Sequence, residues 1–223
     1  MPGTFLKSSA TGEIIYTPPQ DPLEIERLMA NLEQFINDKG MSDYDPLVKM
    51  AIIHLQFESI HPFYDGNGRT GRIINILYLI LEGLQDLPIL YLSKYIIKHK
   101  STYYRLLQEV REQGDWEEWL MFIVTGVENT AIETIEHIRR IRELMMDYRH
   151  MLRDNYKFYS QDLLNNLFMH PYTTKIEFVM DDLNVSRITA ANYLNKLAVD
   201  GLLRKEKIGV GNYYINEPLF DLV

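Results

Sequence analysis

The spacing of apolar positions changes along the chain, and the changes divide it. Residues 9–19, SATGEIIYTPP, read as extended. Thr11-Gly12 is a turn signal, Ile14, Ile15 and Tyr16 favour strand, and Pro18-Pro19 stops a helix, so a short hairpin or flap is predicted. From Asp21 the period becomes helical. Leu23, Leu28, Leu32 and Phe35 recur at threes to fives until Gly40 ends the run. Asp45 as cap and Pro46 at the first helical position open a second helix, carrying Ala51, Ile52, Leu55 and Ile60. The following RIINILYLILEG is apolar almost all round, the pattern of a helix buried in the middle of a bundle. Residues 93–113 predict an amphipathic helix capped by Ser93, and a long helical pattern then runs from Asp115 until Lys157. Trp116 and Trp119 read as core.

Residues 160–217 carry a different pattern. Leu163, Leu164 and Leu167 mark one helix, Lys175 to Asp182 a second, and Ser186 to Asp200 a third, stopped by Gly201. LLRKEKIGVGNYYI then gives two strand-like runs joined at Gly209-Val210-Gly211. Three helices and a hairpin in under sixty residues outline a winged helix-turn-helix. The prediction is therefore a mainly α protein: a helical bundle with a short β-hairpin flap over residues 1–156, and a small winged helix over 157–223.

Composition narrows the class. The 223 residues are 46% hydrophobic and 24% charged, as in an ordinary globular protein. Without cysteine there is neither a disulfide nor a thiolate metal site. Met1 to Lys7 lacks the blocks of a signal peptide, and no apolar stretch reaches the length of a membrane span, so a cytoplasmic location without membrane association is expected. A net charge of −8 argues against non-specific nucleic-acid binding by the whole surface.

The chemistry concentrates in HPFYDGNGRTGR, residues 61–72. Gly66, Asn67 and Gly68 allow successive N–H groups to converge on an anion, and the helix that follows aims its positive end at the same place. Arg69 and Arg72 lie three apart on the first turn, with fork geometry suited to phosphate. Two arginines there oppose the helix dipole, and a bound anion removes the conflict. Asp65 is the odd acid in a positive site, a hard carboxylate of the kind that holds Mg²⁺ together with phosphate oxygens. His61 titrates near neutral pH and could take a proton from an attacking hydroxyl. Pro62 and Phe63 turn the chain and anchor it in the core. Together these parts specify phosphoryl-type transfer from a nucleotide.

This stretch resembles the signature of the Fic family, HxFx(D/E)GNGRxxR, matched by His61, Phe63, Asp65, Gly66, Asn67, Gly68, Arg69 and Arg72. The flap TGEIIYTPP, the approach DPLVKMAIIHLQFESI and the segment YYRLLQEVREQGDWEEWL are similar to Fic proteins with a C-terminal winged helix. The resemblance implies transfer of AMP from ATP to a Ser, Thr or Tyr hydroxyl of a target protein, with self-AMPylation and release of pyrophosphate. It implies His61 as general base, Asp65 as Mg²⁺ ligand, and a nucleotide held by Gly66, Asn67, Gly68, Arg69, Thr70, Gly71 and Arg72. The tyrosine pair Tyr103 and Tyr104 would lie near the base, and Ile14, Ile15 and Tyr16 would register the target's backbone by strand addition. Glycine at position 68 favours AMP transfer, because the kinase-like Doc branch has lysine there.

Many relatives of this kind carry an inhibitory helix, (S/T)xxxE(G/N). SATGEI, from Ser9, fits the spacing, but Glu13 is not followed by Gly or Asn and the stretch reads as extended. The expectation is a form that is not self-inhibited, with the inhibitory helix removed or supplied in trans. Homodimerisation is a further expectation. In the winged helix, Arg187, Lys196, Arg204, Lys205 and Lys207 stand against Asp200 and Glu206, a modest surplus of three that suits a protein-interaction module slightly better than DNA. Two other functions stay open: a transcription regulator that senses nucleotide without transferring it, and a Fic enzyme that removes AMP or transfers another nucleotide.

Overall fold

A computed structural model describes residues 5–7, 12–170 and 173–222. Ser9, Ala10 and Thr11 of the expected flap, including the start of the SATGEI match, lie outside the described residues. The chain divides into two compact units, Met1–Thr134 and Ile135–Val223.

In the first unit a two-stranded antiparallel ladder, β1 (Leu6–Lys7) and β2 (Ile14–Tyr16), precedes the helices. Leu6 faces Tyr16 and Lys7 faces Ile14, so Ile15 falls in a register shift and faces no β1 residue among those described. Helix α1 (Pro22–Asn37) starts as predicted: the Asp21 carboxylate accepts the Leu23 N–H and proline occupies the first turn. Asp45 and Pro46 repeat that arrangement at the start of α2 (Pro46–Ile60).

Helix α2 is the central element. It buries Met50, Ala51, Ile53, Leu55, Phe57 and Ile60 together with the polar Lys49, His54 and Glu58. That place was expected for the next helix, α3 (Asn67–Leu81). Instead α3 buries Gly71, Asn75, Ile76, Tyr78 and Leu79 and leaves Ile73, Leu77 and Leu81 more than half exposed. An apolar-all-round sequence says how much could be buried, whereas α2 covers only one side of α3 within this unit.

The run predicted as one helix over 93–113 is two: α4 (Ser93–Lys98) and α5 (Lys100–Gln113), with His99 non-helical between them. Ser93 does not cap α4. The cap position is Leu92, and the Ser93 side chain is buried without a hydrogen-bond partner. Helix α6 (Glu117–Asn155) follows. Trp119 is fully buried and gives its indole N–H to the Ala51 carbonyl at 3.0 Å. Trp116 is 38% exposed, because it precedes the first turn of α6 instead of lying on its inner face.

The second unit contains α7 (Gln161–Met169), β3 (Thr173–Thr174), α8 (Ile176–Leu183), α9 (Arg187–Val199), β4 (Arg204–Ile208), β5 (Gly211–Ile215) and α10 (Glu217–Phe220). The sheet order is β3-β5-β4, and Gly209 at φ 61 helps turn the β4–β5 hairpin. This is the helix, strand and hairpin order of a winged helix-turn-helix. Its core includes Tyr148, Leu152 and Tyr156, so the end of α6 packs with this unit. The compact units thus divide inside α6, some twenty residues before the position 156/157 read from the sequence. A continuous helix offers no linker composition to mark such a division. No helix among the described residues is long and apolar enough to cross a membrane.

Candidate active site

The turn between α2 and α3 is held by a non-glycine residue in a left-handed conformation. His61 caps α2 at φ 50 and gives its N–H to the Phe57 carbonyl. A left-handed histidine is uncommon, and this backbone conformation ends the helix there. Pro62 to Asp65 then loop to Gly66, the cap of α3, at φ 88, where only glycine is unstrained. Asn67 fixes the loop. Its Oδ1 accepts the Phe63 N–H at 2.9 Å and its Nδ2 donates to the Phe63 carbonyl at 2.7 Å. The buried Asn67 side chain is therefore committed to the backbone, and what it can offer an anion is its N–H at the start of α3. Phe63, expected as a core anchor, is 44% exposed; its ring lies 6.3 Å from that of Phe57.

A cavity of about 350 Å³ opens beside this turn, lined among others by His61, Gly68, Arg72, Tyr103, Tyr104 and Arg111. Of the residues singled out in the sequence, the structure brings His61, Gly68, Arg72 and the tyrosine pair to this one cavity. Tyr103 shows only part of itself there: it is 4% exposed, packed in the core, and its hydroxyl meets His54 Nε2 at 2.9 Å. Tyr104 is exposed. Burial holds His54 down to about 4, so its imidazole is a neutral core group.

Asp65 and Arg69 lie outside the cavity lining and pair with each other at 3.0 Å, while the other Asp65 oxygen accepts the Gly66 N–H at 2.7 Å. Both side chains are largely exposed. No three acidic or imidazole groups converge among the described residues. A divalent cation here would draw on the single Asp65 carboxylate plus oxygens of a bound polyphosphate, which is how Mg²⁺ is commonly held. The donor set fits that mode. Gly71 faces inward: a Cβ there would meet Glu58 Oε1 at 2.8 Å and the Phe57 ring at 3.2 Å, so its smallness lets α3 approach α2. A Cβ at Gly68 would stand 3.1 Å from Arg72 Nη1, in the path of that guanidinium.

Several lining residues were not picked out in the sequence. Glu58 is 8% exposed, its Oε1 has no hydrogen-bond partner, and burial, opposed by Arg72 and Arg111, pushes its carboxyl up to about 7. Arg111 is partly buried on α5. Lys100, Ile96, Ile97 and Leu107 complete much of the wall. Tyr103, Leu107 and Arg111 are spaced by four, one stripe of α5, and an arginine on an otherwise apolar stripe was the signal available. Burial also lowers the His61 pKa; a backbone bond to Glu58 opposes this and the Arg111 charge adds to it. The ring is thus more fully neutral at pH 7 than an ordinary histidine.

The flap is tied down. Tyr16 gives its hydroxyl to the Ser59 carbonyl at 2.9 Å, and Gln108 Nε2 reaches the Ile15 carbonyl at 3.3 Å. Ile14 and Ile15 are half exposed. In the second unit, Arg187 pairs with Glu177, Lys196 with Asp200, and Arg204 with both Glu206 and Glu217. Glu177 and Glu217 take two charges from the expected surplus of three.

Residues 2–79 match the Fic/DOC family, and residues 144–219 match the C-terminal domain of SoFic-like protein adenylyltransferases. Proteins named "Protein adenylyltransferase Fic" from Aedes aegypti and Drosophila erecta are 33% and 32% identical over 112 residues, half of this chain and 21% of theirs. The chain thus spans about a fifth of the length of those relatives. A Fic family protein from Desulfovibrio desulfuricans aligns over 89% of this chain and 56% of its own, at 23% identity and a TM-score of 0.48. The chain carries a Fic/DOC family domain over residues 2–79 and a SoFic-like C-terminal domain over residues 144–219.

Proposed function

We propose that this chain is a protein adenylyltransferase, moving AMP from ATP to a tyrosine, serine or threonine hydroxyl of a target protein and, as a side reaction, of itself. The observation that carries the reading is the meeting of His61, Gly68 and Arg72 in one cavity at the N-terminal end of α3. The relatives' name supports the same activity.

The free N–H groups at the start of α3 would take the phosphates, with Gly68 leaving them room and Arg72 and Arg69 adding charge. Mg²⁺, held by Asp65 and phosphate oxygens, would neutralise charge on the polyphosphate. The apolar wall of Ile96, Ile97, Leu107 and the tyrosine pair suits the base. Neutral His61 takes the proton of the incoming hydroxyl; its oxygen bonds to the α-phosphorus, the bond to the β-phosphate oxygen breaks, and pyrophosphate leaves. Ile14, Ile15 and Tyr16 register the target backbone. Their edge position supports that role, Ile15 facing no β1 residue among those described.

The winged helix reads as a protein-interaction module, supported by the pairing of Arg187, Lys196 and Arg204 with acids, and no sequence-preferring gel shift at low salt is expected. The exposed stripe Ile73, Leu77 and Leu81 supports the expected homodimer. The activity is tested with ATP labelled separately at the α- and γ-phosphates. Label on protein from the α position only agrees with AMP transfer; label from γ only would make the protein a kinase.

A further inference from the structure

Arg111 makes three contacts through one guanidinium. Its Nε donates to Ser59 Oγ at 3.0 Å and its Nη2 to the Glu58 carbonyl at 3.1 Å. The plane also lies over the Tyr16 ring, with Cζ 3.9 Å from the ring centroid. Tyr16 itself donates to the Ser59 carbonyl, one residue along the same backbone. Three parts of the fold therefore converge: strand β2, helix α5 and the last turn of α2, whose capping residue is His61.

The chemistry of this junction is specific to arginine. The carbonyls ending α2 carry the negative end of its dipole and favour a cation. A lysine could supply that charge, but not two directed N–H groups and a flat face for an aromatic ring at once. The Gln108–Ile15 bond also comes from α5, so one helix holds the exposed strand at two successive residues. Among the described residues β2 has the two residues of β1 beside it in the sheet, and a two-stranded ladder that short is not stable alone.

We propose that Arg111 is a positioning residue that locks strand β2 to the C-terminal end of α2, so that a target backbone docked on the flap is held in fixed register with His61. The role rests on the reading of the flap as the target site. Arg111 reaches the cavity wall as well, but two of its N–H groups and its face are already engaged within the protein.

The test uses the whole chain in wild-type form and as Arg111→Lys, Arg111→Met, Tyr16→Leu and the Arg111→Lys/Tyr16→Leu pair. Amide hydrogen exchange of Ile14–Tyr16 is followed without nucleotide, ATP binding by calorimetry, and label transfer with a short extended peptide of valine and threonine around one tyrosine. Each single variant is expected to speed exchange of those amides about tenfold and to raise the peptide KM, and Tyr16→Leu, which leaves every cavity residue in place, should keep ATP affinity within about twofold. The pair should be no worse than the poorer single variant, because each change opens the same lock. Unchanged exchange in the single variants would overturn the proposal. So would a loss of ATP affinity with exchange unaltered, which would make Arg111 a nucleotide ligand, or multiplicative effects in the pair. Should the Arg111 variants fail to fold, Tyr16→Leu, a change on the flap surface, decides alone by the same exchange measurement. If wild-type protein transfers no label, adenylyl transfer fails as the activity while the exchange results still decide the lock.

Discussion

Replacing Glu58 by glutamine should make the protein more stable, and by an amount that depends on pH. Burial raises the Glu58 carboxyl from 4.5 to about 7. Because the folded-state value is the higher one, the folded chain keeps a proton between those values that the unfolded chain has released. Stability contributed by this group is therefore lost as pH rises from about 4.5 to 7, and the full cost stands above that window. The difference amounts to about 3 kcal/mol, already reduced by the attraction of Arg72 and Arg111, which the folded-state value includes. Glu58→Gln keeps the shape and removes the titration. Thermal melts at pH 5 and pH 8 should show the gap between variant and wild type widening by several degrees at the higher pH, since about 1 kcal/mol moves a midpoint by roughly 2–4 °C. A gap that stays constant between the two pH values would mean that Glu58 is not a buried neutral acid. The consequence for the site follows from the same group. A neutral Glu58 leaves the Arg72 charge unopposed for an incoming anion.

Gly66→Ala should cost about 1 kcal/mol, because φ 88 is a left-handed conformation that a Cβ disfavours, and it should weaken ATP binding by disturbing the start of α3. Melts and calorimetry read the two effects separately. The lowered His61 pKa predicts that the acid-side fall of kcat/KM follows a single proton and sets in only below 6.5, the ordinary imidazole value. A fall centred above that value would assign the base elsewhere.

Much of this fold was legible because local signals and packing agree. Asp21 and Asp45 cap where their position before Pro22 and Pro46 says they should, and Ser186 caps α9 by accepting the Thr189 N–H. The wing hairpin turns where Gly209 allows it. What the sequence misplaced depends on long-range geometry. Apolar content does not reveal that α2, with its buried His54 and Glu58, takes the centre in place of α3. Nor does amphipathicity reveal the break at His99, since both helices keep apolar positions on either side of it. The motif offered residue types suited to an anion, but not that the Asn67 side chain is consumed in stapling the loop, or that Asp65 and Arg69 face each other outside the cavity. Glu58 and Arg111 were hidden for a related reason: each is charged on an otherwise apolar face, and only the packing of α5 against the end of α2 gives them partners.

The central claim is that the cavity beside the start of α3 grips ATP while the imidazole of His61 removes the hydroxyl proton. It is tested most directly by measuring transfer from α-labelled ATP with His61→Ala, alongside calorimetric ATP binding to the same preparation. ATP binding should stay near that of wild type while transfer falls by about a hundredfold or more, the usual contribution of a general base. Label transfer equal to wild type at undiminished binding would contradict the account.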